Sequence, residues 1–159
     1  MNSKERSVFL TQLIVRACYV LLAAAVIVLP IMFKTYNAPG KINMISELGK
    51  YVMGPFYAMV PAGYVALVCI DKLLMNIKKD IVFDKKNVKL LRIISWSCFY
   101  AAAVCIVAFV LVWLTFSYGV GIGLILLTAG AGFMGLVVRV VKNVFEAAIE
   151  IKDENDLTI

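Results

Sequence analysis

From Ile93 to Val138 the chain runs for 46 residues without an aspartate, glutamate, lysine or arginine. A bilayer core of about 30 Å is crossed by roughly 20 apolar residues, so this run is long enough for two crossings and must turn between them. Ser117, Tyr118, Gly119, Val120 and Gly121 supply the break. Trp113, Phe116 and Tyr118 cluster beside it, as aromatic rings do at headgroup level, where an apolar body and a polar tip both find their surroundings. The reading is one span over about 92–116 and another over about 120–140.

Two further spans precede these. Ala17 to Phe33 is free of charge between Arg16 and Lys34, and Val8, Phe9, Leu10, Leu13 and Ile14 extend it backwards, giving a span over about 8–33. A cleavable secretory signal is the competing reading, but Pro30 to Phe33 offers no small-residue cleavage site. Tyr51 to Ile70 is the remaining charge-free run, read as a span over about 51–72. It carries Pro55 and Pro61, and such a helix is expected to bend and still cross, because neighbouring groups can satisfy the freed carbonyls. Overall composition agrees: 63% of residues are hydrophobic and 16% charged, far from the balance of a soluble domain. The fold class is all-α, a polytopic membrane domain of four transmembrane helices over residues 1–159, arranged as a four-helix bundle.

Four spans place both termini on one side. That side, with the 73–91 loop and the 141–159 tail, holds thirteen lysines and arginines against Lys34, Lys41 and Lys50 on the other. Cationic residues are retained in the cytoplasm, so both termini are expected inside, with helices 2 and 4 continuing into the cytoplasm. The net charge of +6 is then a topological signal, and direct nucleic-acid binding is not expected.

The polar inventory excludes more than it suggests. There is no histidine, no acid pair within a span, and no nucleophile beside a base, so the usual catalytic constellations are missing and no enzyme activity is expected. Cys18, Cys69, Cys98 and Cys105 lie in or at the edge of spans without metal-ligand spacing, so no metal, cofactor or disulfide is expected. Arg16 lies near the start of its span and can snorkel to the headgroups. Gly119 and Gly123 are four apart, as are Ala131 and Gly135. Small residues at that spacing let helices approach closely, inside the bundle or, through the Gly119, Gly123, Gly135 face, in a homo-oligomer. Pro55, Tyr57, Pro61 and Tyr64 mark a candidate intramembrane cleft beside the expected bend.

The specific features are on the cytoplasmic side. Asp84 is a good N-cap for the third helix, and Phe83 before it can pack on Val88 as a hydrophobic staple. Lys85, Lys86, Lys89 and Arg92 follow, placed to meet anionic headgroups. Past the fourth span, Val137, Val141, Val144, Ala148 and Ile151 recur at helical spacing, an apolar seam that needs a partner. The turn around Phe83 and a separate cytoplasmic protein are the two candidates. The chain closes on an acidic stretch in which Leu157 and Ile159 flank Thr158. A disordered tail and a docked extended one both remain open.

The stretch from Ile81 to Arg92, with Phe83, Asp84, Asn87 and Val88, resembles the loop of the bacterial four-span family catalogued as domain of unknown function 2975. The ending Glu154, Asn155, Asp156, Leu157, Thr158, Ile159 resembles that family's closing motif. The resemblance implies four spans and no established activity. It also implies frequent encoding beside small helix-turn-helix regulators, and hence a membrane partner or sensor for one. The expectation is a non-enzymatic bacterial inner-membrane protein whose partners are the lipid bilayer and a cytoplasmic regulatory protein. Phe83, Asp84, Asn87, Val88 and Glu154 to Thr158 would form its docking face. A small transporter, exporter accessory or immunity protein against membrane-active peptides, using the Pro55–Tyr64 cleft, is the alternative.

Overall fold

The computed structural model describes residues 3–36, 43–79, 81–115 and 122–156. They form four α-helices: α1 (Ser3–Tyr36), α2 (Asn43–Lys78), α3 (Lys85–Thr115) and α4 (Ile122–Asp156). All four are long and apolar enough to cross a membrane, so the chain is a multi-pass membrane protein. Each helix has 31 to 36 residues, well beyond the roughly 20 that a crossing needs. The expected spans 8–33 and 51–72 thus lie inside longer helices, α3 begins before residue 92 and α4 continues beyond residue 140, while residues 116, 120 and 121 lie outside the described residues. Most of the 73–91 loop is helical too, and residues 79–84 alone join α2 to α3. α2 is unbroken through Pro55 and Pro61.

Packing follows chain order. Close approaches among the described residues join α1 to α2, α2 to α3 and α3 to α4, and no such approach brings α4 back to α1. The four-helix bundle is therefore an open one, with α1 and α4 as its edges. α3, flanked on both sides, holds most of the core: Leu91, Ile94, Ala102, Cys105, Ala108 and Val112 are buried. On α1, by contrast, Leu13, Ile14, Val20, Leu21, Ile27 and Ile31 are exposed, as lipid-facing apolar residues should be, since hydrocarbon exerts no hydrophobic penalty on them.

Neighbouring helices are antiparallel, and cross-helix contacts fix their register. Tyr19 meets Tyr64 ring to ring, and the Tyr57 hydroxyl donates to the Val26 carbonyl. Met59 meets Cys105, and Asn76 meets Asn87. Counting down one helix while counting up the next brings Gln12, Asp71 and Arg92 to one level. From the Ser95 hydrogen bond to Gly135, Arg92 falls level with Val138 and Arg139. The same count puts Lys34 level with Gly49 and Thr115. At about 1.5 Å per residue, the two levels are about 33 Å apart along α1, close to the thickness of a hydrocarbon core. Arg16 lies one turn, about 6 Å, inside the first level, within reach of a snorkelling side chain.

Beyond the level of Arg139, α4 continues for another 17 residues, a projection of about 25 Å. It stands on the same side as the 79–84 turn and the start of α1.

Candidate functional site

The turn between α2 and α3 is built around one buried amide. Asn87 is fully buried. Its Nδ2 donates to the carbonyls of Ile81 and Val82, both at 2.8 Å, while its Oδ1 accepts from Asn76 Nδ2 at 2.6 Å. Every polar atom of the side chain is satisfied, which burial of an amide requires. Asp84 caps α3 as expected: its Oδ1 accepts the Lys86 N–H at 2.7 Å, and its carbonyl accepts the Asn87 N–H at 2.9 Å.

Phe83 is exposed over half its surface, and its ring lies 5.7 Å from that of Phe145 on α4. Val88 and Ile149 are buried and form the floor of a cleft of about 560 Å³ between the start of α3 and the projecting part of α4. The walls carry opposite charges. Lys85, Lys89 and Arg92 stand on α3, and Glu146, Glu150, Asp153 and Glu154 on α4. Arg92 pairs with Glu146 at 3.2 Å and Lys85 with Asp153 at 3.2 Å. Lys142 also reaches Glu146, at 2.8 Å within α4. That hydrogen bond from Lys142, and then Arg92, hold the Glu146 carboxyl below the usual carboxylate range. Exposed pairs of this kind are weak, comparable to the attraction of a lysine or arginine to an anionic membrane surface.

Asn87 and Val88, expected on a docking face, are buried and build the turn and the cleft floor instead, so a partner could touch Phe83 but not Asn87. The α4 face that packs on the rest of the chain runs through Gly135, Phe145 and Ile149, one position away from the expected seam. Val144 and Ile151 of that seam are 61% and 60% exposed, so the Phe83 turn does not cover it. Glu154 lines the cleft and Asn155 is exposed. α4 is helical to Asp156, which replaces the disordered or extended tail by helix up to that residue. Leu157 and Thr158 lie outside the described residues.

Within the membrane, a cleft of about 290 Å³ is lined by residues that include Leu22, Phe56, Met59, Gly63, Cys98 and Ala131, so all four helices contribute. Pro55, Tyr57, Pro61 and Tyr64 are not among its lining residues. Tyr57 and Tyr64 face α1 instead, through the Val26 carbonyl and Tyr19, because on α2 they occupy the face next to the one that opens on the cleft. Gly135 is packed against α3: a Cβ there would lie 3.2 Å from the Phe99 ring and 3.3 Å from Cys98 Cβ. Gly123 has open space around it, and Gly119 lies outside the described residues. Among the described residues no cluster of histidine, cysteine, aspartate or glutamate could hold a metal ion.

The sequence profile of the family described as Protein of unknown function (DUF2975) matches residues 17–159. The chain belongs to that family. The match takes in the 79–84 turn, the capped start of α3 and the whole projection of α4, so the charged cleft lies within the family's own extent. Neither a curated protein nor a solved structure matches the chain.

Proposed function

We propose that this DUF2975 member is a non-enzymatic docking protein of the bacterial inner membrane, with both termini in the cytoplasm, and that the projection of α4 receives a cytoplasmic regulator. The observation that carries this is the apolar stripe Val140, Val144, Ala147 and Ile151, exposed along a helix that has left the hydrocarbon. Inside a bilayer such a stripe would meet lipid; the helix runs about 25 Å past the hydrocarbon, which carries Ala147 and Ile151 beyond the headgroups into water, where uncovered apolar surface of this periodicity suits a partner. The excess of lysine and arginine on that side supports its being the cytoplasm. The resemblance to this family, which implies frequent encoding beside small helix-turn-helix regulators, makes a neighbouring regulator the partner to try first.

The test is co-purification of that regulator with full-length protein, with the Val144→Asp/Ile151→Asp variant, and with a chain ending at Lys152. Retention by the full chain and loss in the double variant supports docking on the stripe. Equal retention by all three rules it out, and loss only on truncation moves the contact to the closing motif.

A second reading rests on the apolar cleft around Gly63 and Cys98, which would suit a small apolar compound or a membrane-active peptide in transport or immunity. Deleting the gene and measuring sensitivity to cationic peptides and toxic compounds tests it; unchanged sensitivity across the panel counts against it.

A further inference from the structure

The charges on the two walls of the cytoplasmic-side cleft are in matched antiparallel register. Lys85, Lys89 and Arg92 are spaced by four and three along α3; Asp153, Glu150 and Glu146 are spaced by three and four along α4. Both outer members are in contact, Lys85 with Asp153 and Arg92 with Glu146, and Lys89 and Glu150 stand between them on opposite walls. Each row follows the spacing that keeps side chains on one helix face.

This row of cations also lies where phospholipid headgroups lie. Arg92 marks the edge of the hydrocarbon in the register of the helices, and Lys89 and Lys85 stand one and two turns beyond it, across the headgroup layer. The pairs are open to solvent, with side-chain exposures of 78% and 55% for Lys85 and Asp153, so water, salt and lipid can all reach them. Carboxylates on α4 and phosphates in the bilayer therefore compete for the same three cations with attractions of similar size. Beneath the ion pairs, Ile149 and Phe145 pack the projection against Val88 and Phe83.

We propose that the α4 projection is an electrostatic clasp, closed when Glu146, Glu150 and Asp153 hold the α3 cations and released when anionic phospholipid headgroups take Arg92, Lys89 and Lys85 instead. The clasp deepens the docking reading, since it governs how the stripe of α4 is presented. Its test involves lipid alone and holds in either orientation of the protein, so it can fail or succeed independently of the partner.

Carbodiimide joins a lysine amine to a carboxylate only when the two touch, so the wild-type chain carries its own reporter. Full-length protein is reconstituted in phosphatidylcholine vesicles and in vesicles with part of that lipid replaced by phosphatidylglycerol, and the Lys85–Asp153 cross-link is quantified by mass spectrometry. The total Lys85-containing peptide, linked and unlinked, is the internal reference. The clasp requires the Lys85–Asp153 yield, relative to that reference, to fall about threefold or more in the anionic vesicles. An unchanged ratio overturns it. An equal fall with glycerol phosphate added to neutral vesicles at the same phosphate concentration overturns it too, because the anion would then be read from solution and not from the bilayer. Coupling is reciprocal, so a Glu146→Gln/Asp153→Asn variant must bind phosphatidylglycerol about threefold more tightly in detergent, with phosphatidylcholine unaffected. Unaltered phosphatidylglycerol binding by that variant also contradicts the clasp.

Discussion

The side-chain amide of Asn76, near the end of α2, donates to that of Asn87, on the first turn of α3, at 2.6 Å. Asn87 in turn holds the carbonyls of Ile81 and Val82, so one buried side chain gathers the end of one helix, the connection and the start of the next. The start of α3 is thereby fixed relative to α2, and with it the placement of Phe83, Lys85 and Lys89.

Replacing Asn87 with leucine should therefore destabilise the protein. The variant takes this partner from two carbonyls and the Asn76 amide in a partly buried place, a loss on the order of 1–3 kcal/mol for each group that water cannot reach. Asp84→Ala should lose about 1 kcal/mol, as removal of an N-cap usually does. Unfolding of the purified protein in mild detergent, followed by circular dichroism, measures both. An Asn87→Leu variant as stable as the wild type would contradict the assignment of this amide as the organiser of the turn.

At Gly135 α4 packs closely on α3, and the Ser95 hydroxyl donates to its carbonyl at 2.9 Å. Gly135→Leu should push the two helices apart and destabilise by about 1–3 kcal/mol, since a Cβ there already meets Phe99 and Cys98 and leucine adds three further carbons. Gly130→Ala and Gly132→Ala meet nothing within 4 Å and should be neutral or stabilising, by up to about 1 kcal/mol from helix propensity. Thermal unfolding of the three variants side by side reads the difference. Equal effects at all three positions would mean that Gly135 is not at the interface.

Acid should loosen the α4 projection. The Glu146 carboxyl is held below its ordinary value by Lys142 and then Arg92. A carboxyl with a lowered native value contributes its full stabilisation above the unfolded value and loses it as the pH falls through the native one. Amide exchange over residues 146–156 should therefore be independent of pH above about 5, after correction for intrinsic rates, and accelerate below about 4. Glu146→Gln should reduce that acid-dependent change, and Glu146→Gln/Asp153→Asn should reduce it further. A variant that keeps it in full would place the responsible group elsewhere.

Raising salt at neutral pH should act on the same segment, because exposed ion pairs are screened as the Debye length falls from about 10 Å at 0.1 M to 3 Å at 1 M. Exchange at residues 146–156 should quicken between those concentrations while exchange in the middle of α3 stays slow. A uniform response along the chain would show that the pairs do not hold the projection in particular.

How far the sequence discloses all this depends on the range of the interaction concerned. The four crossings are plain, because a lipid environment demands long charge-free runs such as Ile93–Val138, and no tertiary detail can hide them. The Asp84 cap is plain for a different reason: donor and acceptor are two residues apart. The lengths of α1 and α2 are less visible, since the turns beyond the bilayer are short and mixed in composition, and α2 starts at Asn43, eight residues before the expected span. The packed face of α4 was misplaced by one residue because apolarity does not mark the buried side of a helix whose other sides meet lipid. Gly135, small enough for α3 to approach, marks it, while Val144 and Ile151 face outward. The buried Asn76–Asn87 pair and the two matched charge rows join separate helices, and they become evident only when the antiparallel register is known. The spacing of Lys85, Lys89 and Arg92 against Glu146, Glu150 and Asp153 is the one trace of it in the sequence.

Docking on α4 requires that the projection and the 79–84 turn be on the cytoplasmic side, and the direct test is the topology of the chain in the cell. Green fluorescent protein, which matures only in the cytoplasm, and alkaline phosphatase, active only outside it, are each fused after Ile159 and, in separate chains, within residues 37–42. The account predicts fluorescence without phosphatase activity at the C-terminus and the reverse between α1 and α2. Phosphatase activity at the C-terminus would contradict it, because the stripe of Val144 and Ile151 would then face away from every cytoplasmic partner.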